Sequence, residues 1–203
     1  ALGFGLENLA VIAGGLSVGI GFGMQTIVNN FLSGLILIFS RTLHEGDVID
    51  VGNLQGVVRK ISVRATTVET FDNAIIFVPN SEFVSNRLIN WTRNGRIVRR
   101  EVAIGVAYGT DPKLVERLLV EVAQSVPQIV RRPQPFVLFM DFADSTLNFV
   151  LRYWSDIGTA TDAASAIRHR IVEVFAEHQV EIAFPQLDVH VIPQTPSLTR
   201  AEG

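Results

Sequence analysis

Four histidines, two nearby aspartates and two isolated serines are the residues of this chain with the means to bind a metal, move a proton or attack a substrate. His44, His169, His178 and His190 show no i, i+4 pairing and have no cysteine to join them, so the spacing of a metal site is missing. Asp141 and Asp144 flank the end of a strand expected at Phe136–Phe142, where turn residues are expected, and do not read as an acid and base pair. Ser81 and Ser145 lack the strand-to-helix elbow that exposes a nucleophile. The chain is therefore expected to be no enzyme and to need no cofactor or metal.

Its chemically unusual stretch is apolar. From Asn8 to Ser40, thirty-three residues carry no charge, and Leu9–Met24 would be apolar on every face of a helix. Such a helix has no side fit for water and is expected to lie in a membrane. A straight helix of that length would run about 50 Å, against about 30 Å of hydrocarbon, so a strong tilt or a bend is expected. Gln25, Thr26, Asn29, Asn30 and Ser33 interrupt the run where it would bend. Beyond them Phe31, Leu32, Leu35, Ile36 and Phe39 form an apolar stripe, suited to the membrane surface or to packing beneath it. A secretory signal is excluded by the lack of a basic start and a small-residue cleavage site. A dinucleotide loop is excluded because Met24 stands where a third glycine would fall and no strand precedes it.

Gly14, Gly15, Gly19, Gly21 and Gly23 are five glycines within ten residues, each weakening an isolated helix by about 1 kcal/mol relative to Ala. Close neighbours are needed to hold it. Gly15, Gly19 and Gly23 repeat at i, i+4, i+8, the pattern that lets a second helix backbone approach in lipid. Val18 and Phe22 share a different face, and a helix with one glycine side and one bulky pair fits a ring of identical helices around an axis.

Charge is split along the chain. Residues 41–100 hold nine Lys and Arg against six Asp and Glu, whereas residues 101–203 hold eight against thirteen. The basic excess beside the apolar run places the residues after Ser40 in the cytoplasm, and the absence of cysteine fits that compartment. The chain opens on Ala1, not Met, and is expected to be part of a longer, multi-pass membrane protein.

Two further domains must position this element. Short β-rich runs at Val48–Val51, Val57–Val63, Ala65–Thr70, Ile75–Val78 and Leu88–Trp91, divided by Gly52-Asn53, Asp72-Asn73 and Pro79-Asn80, predict a small barrel or sandwich. From Ile97 strands alternate with helices opening at Asp111-Pro112 and near Asp162, and a last strand is expected at Leu187–Ile192, giving a ferredoxin-like βαββαβ order. The expected organisation is a membrane helix over 1–40, a β middle domain over 41–96, an α+β domain over 97–193 and a tail over 194–203. Arg59, Lys60 and Arg64, with Arg41 at the helix end, are candidate contacts for lipid headgroups or ions, although a solvated strand face is the favoured reading of the strand cluster.

At Gly21-Phe-Gly-Met-Gln25, Asn30, Gly34, Gly46-Asp47, Val78-Pro79-Asn80, Ile89-Asn90-Trp91, Gly105-Val-Ala-Tyr-Gly109 and Pro185-Gln-Leu-Asp-Val189, the chain resembles the small-conductance mechanosensitive channel family. The likeness runs from Val11 to Ile192 and is strongest to the larger, potassium-regulated type, which carries Gly-Phe-Gly in the helix. It implies a homoheptameric channel of the bacterial inner membrane, opened by tension to release ions and small osmolytes. The glycine-rich helix would line the pore, with an Sm-like β domain and a vestibule-forming α/β domain beneath. By position Val18 and Phe22 correspond to the rings that close the prototype's pore. Thr26 stands where the prototype's helix breaks at a glycine, so Gly34 becomes a second hinge candidate, with Gln25 and Asn30 beside the bend. The alternative is a membrane-anchored scaffold or ligand-sensing module without conductance. Few basic and aromatic pairs argue against nucleic acid.

Overall fold

The computed structural model describes residues 6–187, with side chains from Val11 onward. It comprises two compact units, one ending at Val98 and the other beginning at Arg99. The last strand expected at 187–192 falls beyond Leu187, outside the described residues, as does the tail over 194–203.

The first unit opens with α1, a 35-residue α-helix from Leu6 to Ser40. It stays helical through Gln25, Thr26, Asn30 and Gly34, the residues at which the sequence suggests a bend. The chemistry explains this: α1 contains no proline, and glycine lowers helix propensity without removing a backbone donor. The Asn30 side chain also turns back on the helix, donating to the Thr26 carbonyl at 2.9 Å. The helix ends at Arg41, whose φ of 50° is the left-handed turn more often given to glycine.

Five antiparallel strands follow, β1 (Val48–Val51), β2 (Leu54–Ile61), β3 (Ala65–Thr70), β4 (Ile75–Pro79) and β5 (Leu88–Asn90), in the order β4-β3-β2-β1-β5. The hairpins turn where expected, at Gly52 with φ 61° and at Asn73 with φ 64°. Between β4 and β5 lies α2 (Asn80–Ser85), which the sequence presents only as turn punctuation because six residues are too few to show a helical period. Ile49, Val51, Val58, Val68, Val78 and Phe83 form the core, joined by Leu37 of α1 and by Leu43. β4 and β5 are edges that do not pair with each other, so the expected barrel is left open within one chain.

The second unit holds all but the first two residues of β6 (Ile97–Val106), then α3 (Pro112–Ser125), β7 (Phe136–Phe142), β8 (Leu147–Asp156) and α4 (Ala160–Glu177), in the sheet order β6-β8-β7. Asp111 caps α3 by accepting from the Lys113 amide at 3.0 Å, with Pro112 in the first turn. Strict alternation along β8 buries Phe149, Leu151 and Tyr153 against Leu118, Leu119 and Val122 of α3 and Ile167, Ile171 and Phe175 of α4. Past α4 the chain returns antiparallel to β6, with Ile182 bridging Val106.

Candidate functional site

Among the described residues nothing packs against the upper part of α1. Val11–Ser40 is long and apolar enough to cross a membrane, and its most hydrophobic window is unburied. Val18 is 59% exposed and Phe22 74%. Apolar side chains in such a row are not left in water, so lipid or other helices must cover them. A Cβ added at Gly15, Gly19 or Gly23 would meet nothing within 4 Å, so no described residue makes the close approach that such glycines permit.

The lower part of α1 docks on α2 and on the turn between β2 and β3, with Leu37 entering the core of the sheet. Ser33, Gly34 and Leu37 are buried, whereas Phe31, Leu32, Ile36 and Phe39 remain exposed. Of the expected apolar stripe only Leu35 is half-buried, and the rest is not covered by the described residues. Gly34 is required by contact: a Cβ there would fall on the Val63 carbonyl oxygen and 2.5 Å from Asn80 Nδ2. Asn80 cannot yield, because it is fully buried, donates to the Ser62 carbonyl at 2.8 Å and accepts from the Thr66 hydroxyl at 2.9 Å. One turn above, Asn30 Oδ1 accepts from the Ser81 amide at 3.0 Å, capping α2 from across the junction. Two of the four hinge candidates, Asn30 and Gly34, therefore meet the start of α2, at Ser81 and Asn80, while Gln25 and Thr26 lie exposed above it. The sequence marks Asn80 as turn punctuation after Pro79 and as the end of the Val78-Pro79-Asn80 motif of the resemblance, without indicating its contact with α1.

Asn30→Ala is expected to cost the junction about 1 kcal/mol, the usual worth of a side-chain cap. Faster amide exchange over 80–85 in the purified full-length protein is the readout.

The basic residues are dissimilar in state. Arg59 Nε sits 2.6 Å from Glu69 Oε2. That hydrogen bond, with the opposite charge, holds the Arg59 guanidinium above its ordinary pKa and the Glu69 carboxyl below its own. Lys60, Arg64 and Arg41 are exposed, and the Arg64 carbonyl accepts from the Asn80 amide at 3.1 Å, which brings Arg64 to the foot of α1.

Several of the other polar groups singled out from the sequence have structural partners, whereas His169 and Asp144 are exposed. Asp47 accepts from the His44 amide at 2.9 Å, from Asn90 Nδ2 at 2.7 Å and from the Thr92 hydroxyl at 3.2 Å, tying the start of β1 to the end of β5. His44 Nδ1 faces the Arg93 guanidinium at 3.0 Å, and His178 Nδ1 lies 3.0 Å from the Val174 carbonyl on its own helix. Asp141 accepts from Asn148 at 2.7 Å, and Ser145 from the Gln186 amide at 3.3 Å. Ser81 lies in α2, and His190 falls outside the described residues. Among the described residues no three His, Asp or Glu are grouped to hold a metal.

Known proteins share this arrangement. A family model described as "Mechanosensitive ion channel, beta-domain" matches residues 26–93, and one described as "Mechanosensitive ion channel MscS, C-terminal" matches residues 101–182. An uncharacterized MscS family protein of Haemophilus influenzae is 43% identical over 191 residues, 94% of this chain and 17% of its own length. The mechanosensitive channel MscK of Escherichia coli is 38% identical over 192 residues, again 94% of this chain and 17% of its own. The chain thus spans about a sixth of these two relatives. Among solved structures, the closed state of Helicobacter pylori MscS superposes with a TM-score of 0.86 at 26% identity, covering 95% of this chain and 76% of that one.

Proposed function

We propose that this chain, which belongs to the MscS family of mechanosensitive ion channels, is the pore-lining and cytoplasmic part of a subunit that opens under membrane tension and releases ions and small osmolytes on hypoosmotic shock. The observation that carries the reading is α1 itself: an apolar helix uncovered above, fastened below to a folded sheet through Asn30, Gly34 and Asn80. A ring of such helices, with Val18 and Phe22 toward the axis, closes by excluding water from a narrow apolar constriction. Tension favours the state of larger in-plane area, and the shift is set by how differently it acts on the two states. Tilting of α1 then draws the Phe22 ring apart, with Gln25 and Thr26 as the place where the helix flexes.

The assembly is a homoheptamer of the bacterial inner membrane, with residues after Ser40 in the cytoplasm. Self-association is supported by two open edges of the first unit's sheet. Ile75 is 51% exposed and Phe77 71% on β4, and at the other edge β5 pairs with β1 on one side and with no described strand on the other. An apolar open strand is a template for pairing, and a head-to-tail β4-to-β5 contact repeats into a ring. Phe77→Asp is expected to shift the purified full-length protein from oligomer toward monomer, seen by native mass spectrometry. Arg41, Lys60 and Arg64 are proposed to face lipid headgroups or passing ions, whereas Arg59 is occupied by Glu69.

Survival of hypoosmotic shock, in cells lacking other such channels and expressing the full-length protein, tests the function. Rescue is expected. Failure to rescue by a protein present and assembled in the membrane would favour a scaffold without conductance.

A further inference from the structure

We infer that Gln25 and Asn29 form two rings of carboxamides on the cytoplasmic side of the Phe22 constriction and set where the dry segment of the pore ends. The inference rests on the reading of α1 as pore-lining. Its structural basis is that α1 remains helical from Phe22 through Asn29, so one helix face continues downward without a change of register.

At 3.6 residues per turn, Val18, Phe22, Gln25 and Asn29 fall within an arc of about 60°. The residues that dock on the sheet, Asn30, Ser33, Gly34 and Leu37, centre about 100° away on the same wheel. The burial pattern agrees, since Asn29 is exposed whereas Asn30 is half-buried against α2. Gln25 is exposed as well. A carboxamide left facing hydrocarbon would pay for its lost hydrogen bonds with water, and the face carrying Val18 and Phe22 offers that water once the helices ring an axis.

The axial spacing gives the rings a task. Gln25 lies about 4.5 Å and Asn29 about 10.5 Å below Phe22, while Val18 to Phe22 spans about 6 Å. A dewetted gate depends on the length of apolar wall, and carboxamides donate and accept hydrogen bonds without carrying charge. Gln25 thus holds water up to the lower lip of the Phe22 ring and confines the dry segment to about one helical turn, without choosing between cations and anions.

Full-length channels are recorded under tension in a cysteine-free background. Gln25→Leu should raise the tension needed for opening, and Gln25→Leu with Asn29→Leu should raise it further. Gln25→Glu and Gln25→Lys should shift the reversal potential in opposite directions under a salt gradient. A cationic thiol reagent applied from the cytoplasmic side of closed channels should alter the current of Gln25→Cys and Asn29→Cys, and leave that of Ile27→Cys, on the opposite helix face, unchanged. Tension-gated currents with reversal potentials that ignore the charge at residue 25, and no effect of the reagent at residues 25 and 29, would overturn the inference while leaving the channel intact. Absence of any tension-gated current in the unsubstituted protein would instead overturn the pore reading beneath it. Should the charged variants fail to assemble, the cysteine series decides alone.

Discussion

Gly34→Leu is expected to undock the lower half of α1 from the sheet and to disable coupling between the two. The position admits no Cβ, since the Val63 carbonyl and Asn80 Nδ2 already occupy its space, and Asn80 is pinned by Ser62 and Thr66. Overfilling a packed site costs about 1–3 kcal/mol even for small additions. Displacing Asn80 leaves buried hydrogen-bonding groups unpaired at about 1–3 kcal/mol more. Gly34→Ala should show the smaller part of this and Gly34→Leu most of it. In the purified full-length protein, faster hydrogen exchange over 62–66 and 80–85 is the expected result, graded in that order. Protection equal to that of the unsubstituted protein would show that Gly34 is not held as the contact implies.

Phe22→Ser is expected to leave the closed pore leaky or to lower its opening tension. Each phenylalanine withdrawn from the ring forfeits about 2 kcal/mol of apolar burial, and the loss recurs in every subunit. A hydroxyl in its place also offers water a hydrogen bond at the narrowest point, which removes the basis for dewetting. Slow growth on expression, relieved by high external osmolarity, is the cellular counterpart.

Much of the chain was legible because its signals are local. β1, β3 and β7 lie where β-rich runs bounded by turn residues mark them, and the cap at Asp111 and Pro112 announces α3. Burial along β8 follows its alternating sequence. What was not legible depends on groups distant in sequence. Gly34 looks like a hinge when only its helix is considered, and its close contact with Val63 and Asn80 emerges once the sheet forms. The pairing of Arg59 with Glu69 depends on the register of β2 against β3, where a bulge shifts the ladder between Val58 and Lys60. α2 was too short to declare itself, yet it supplies the amide that Asn30 caps. The motif residues Gly46-Asp47 and Asn90 carried the resemblance, and in the fold Asp47 and Asn90 join β1 to β5.

The central claim is a tension-gated pore closed at Phe22. Its most direct test is patch-clamp recording of membranes that express the full-length protein and no other such channel, with suction applied in steps. The account predicts stepwise, tension-dependent currents whose threshold falls in Phe22→Ser. A silent patch, with the protein shown to be assembled in the membrane, would contradict it.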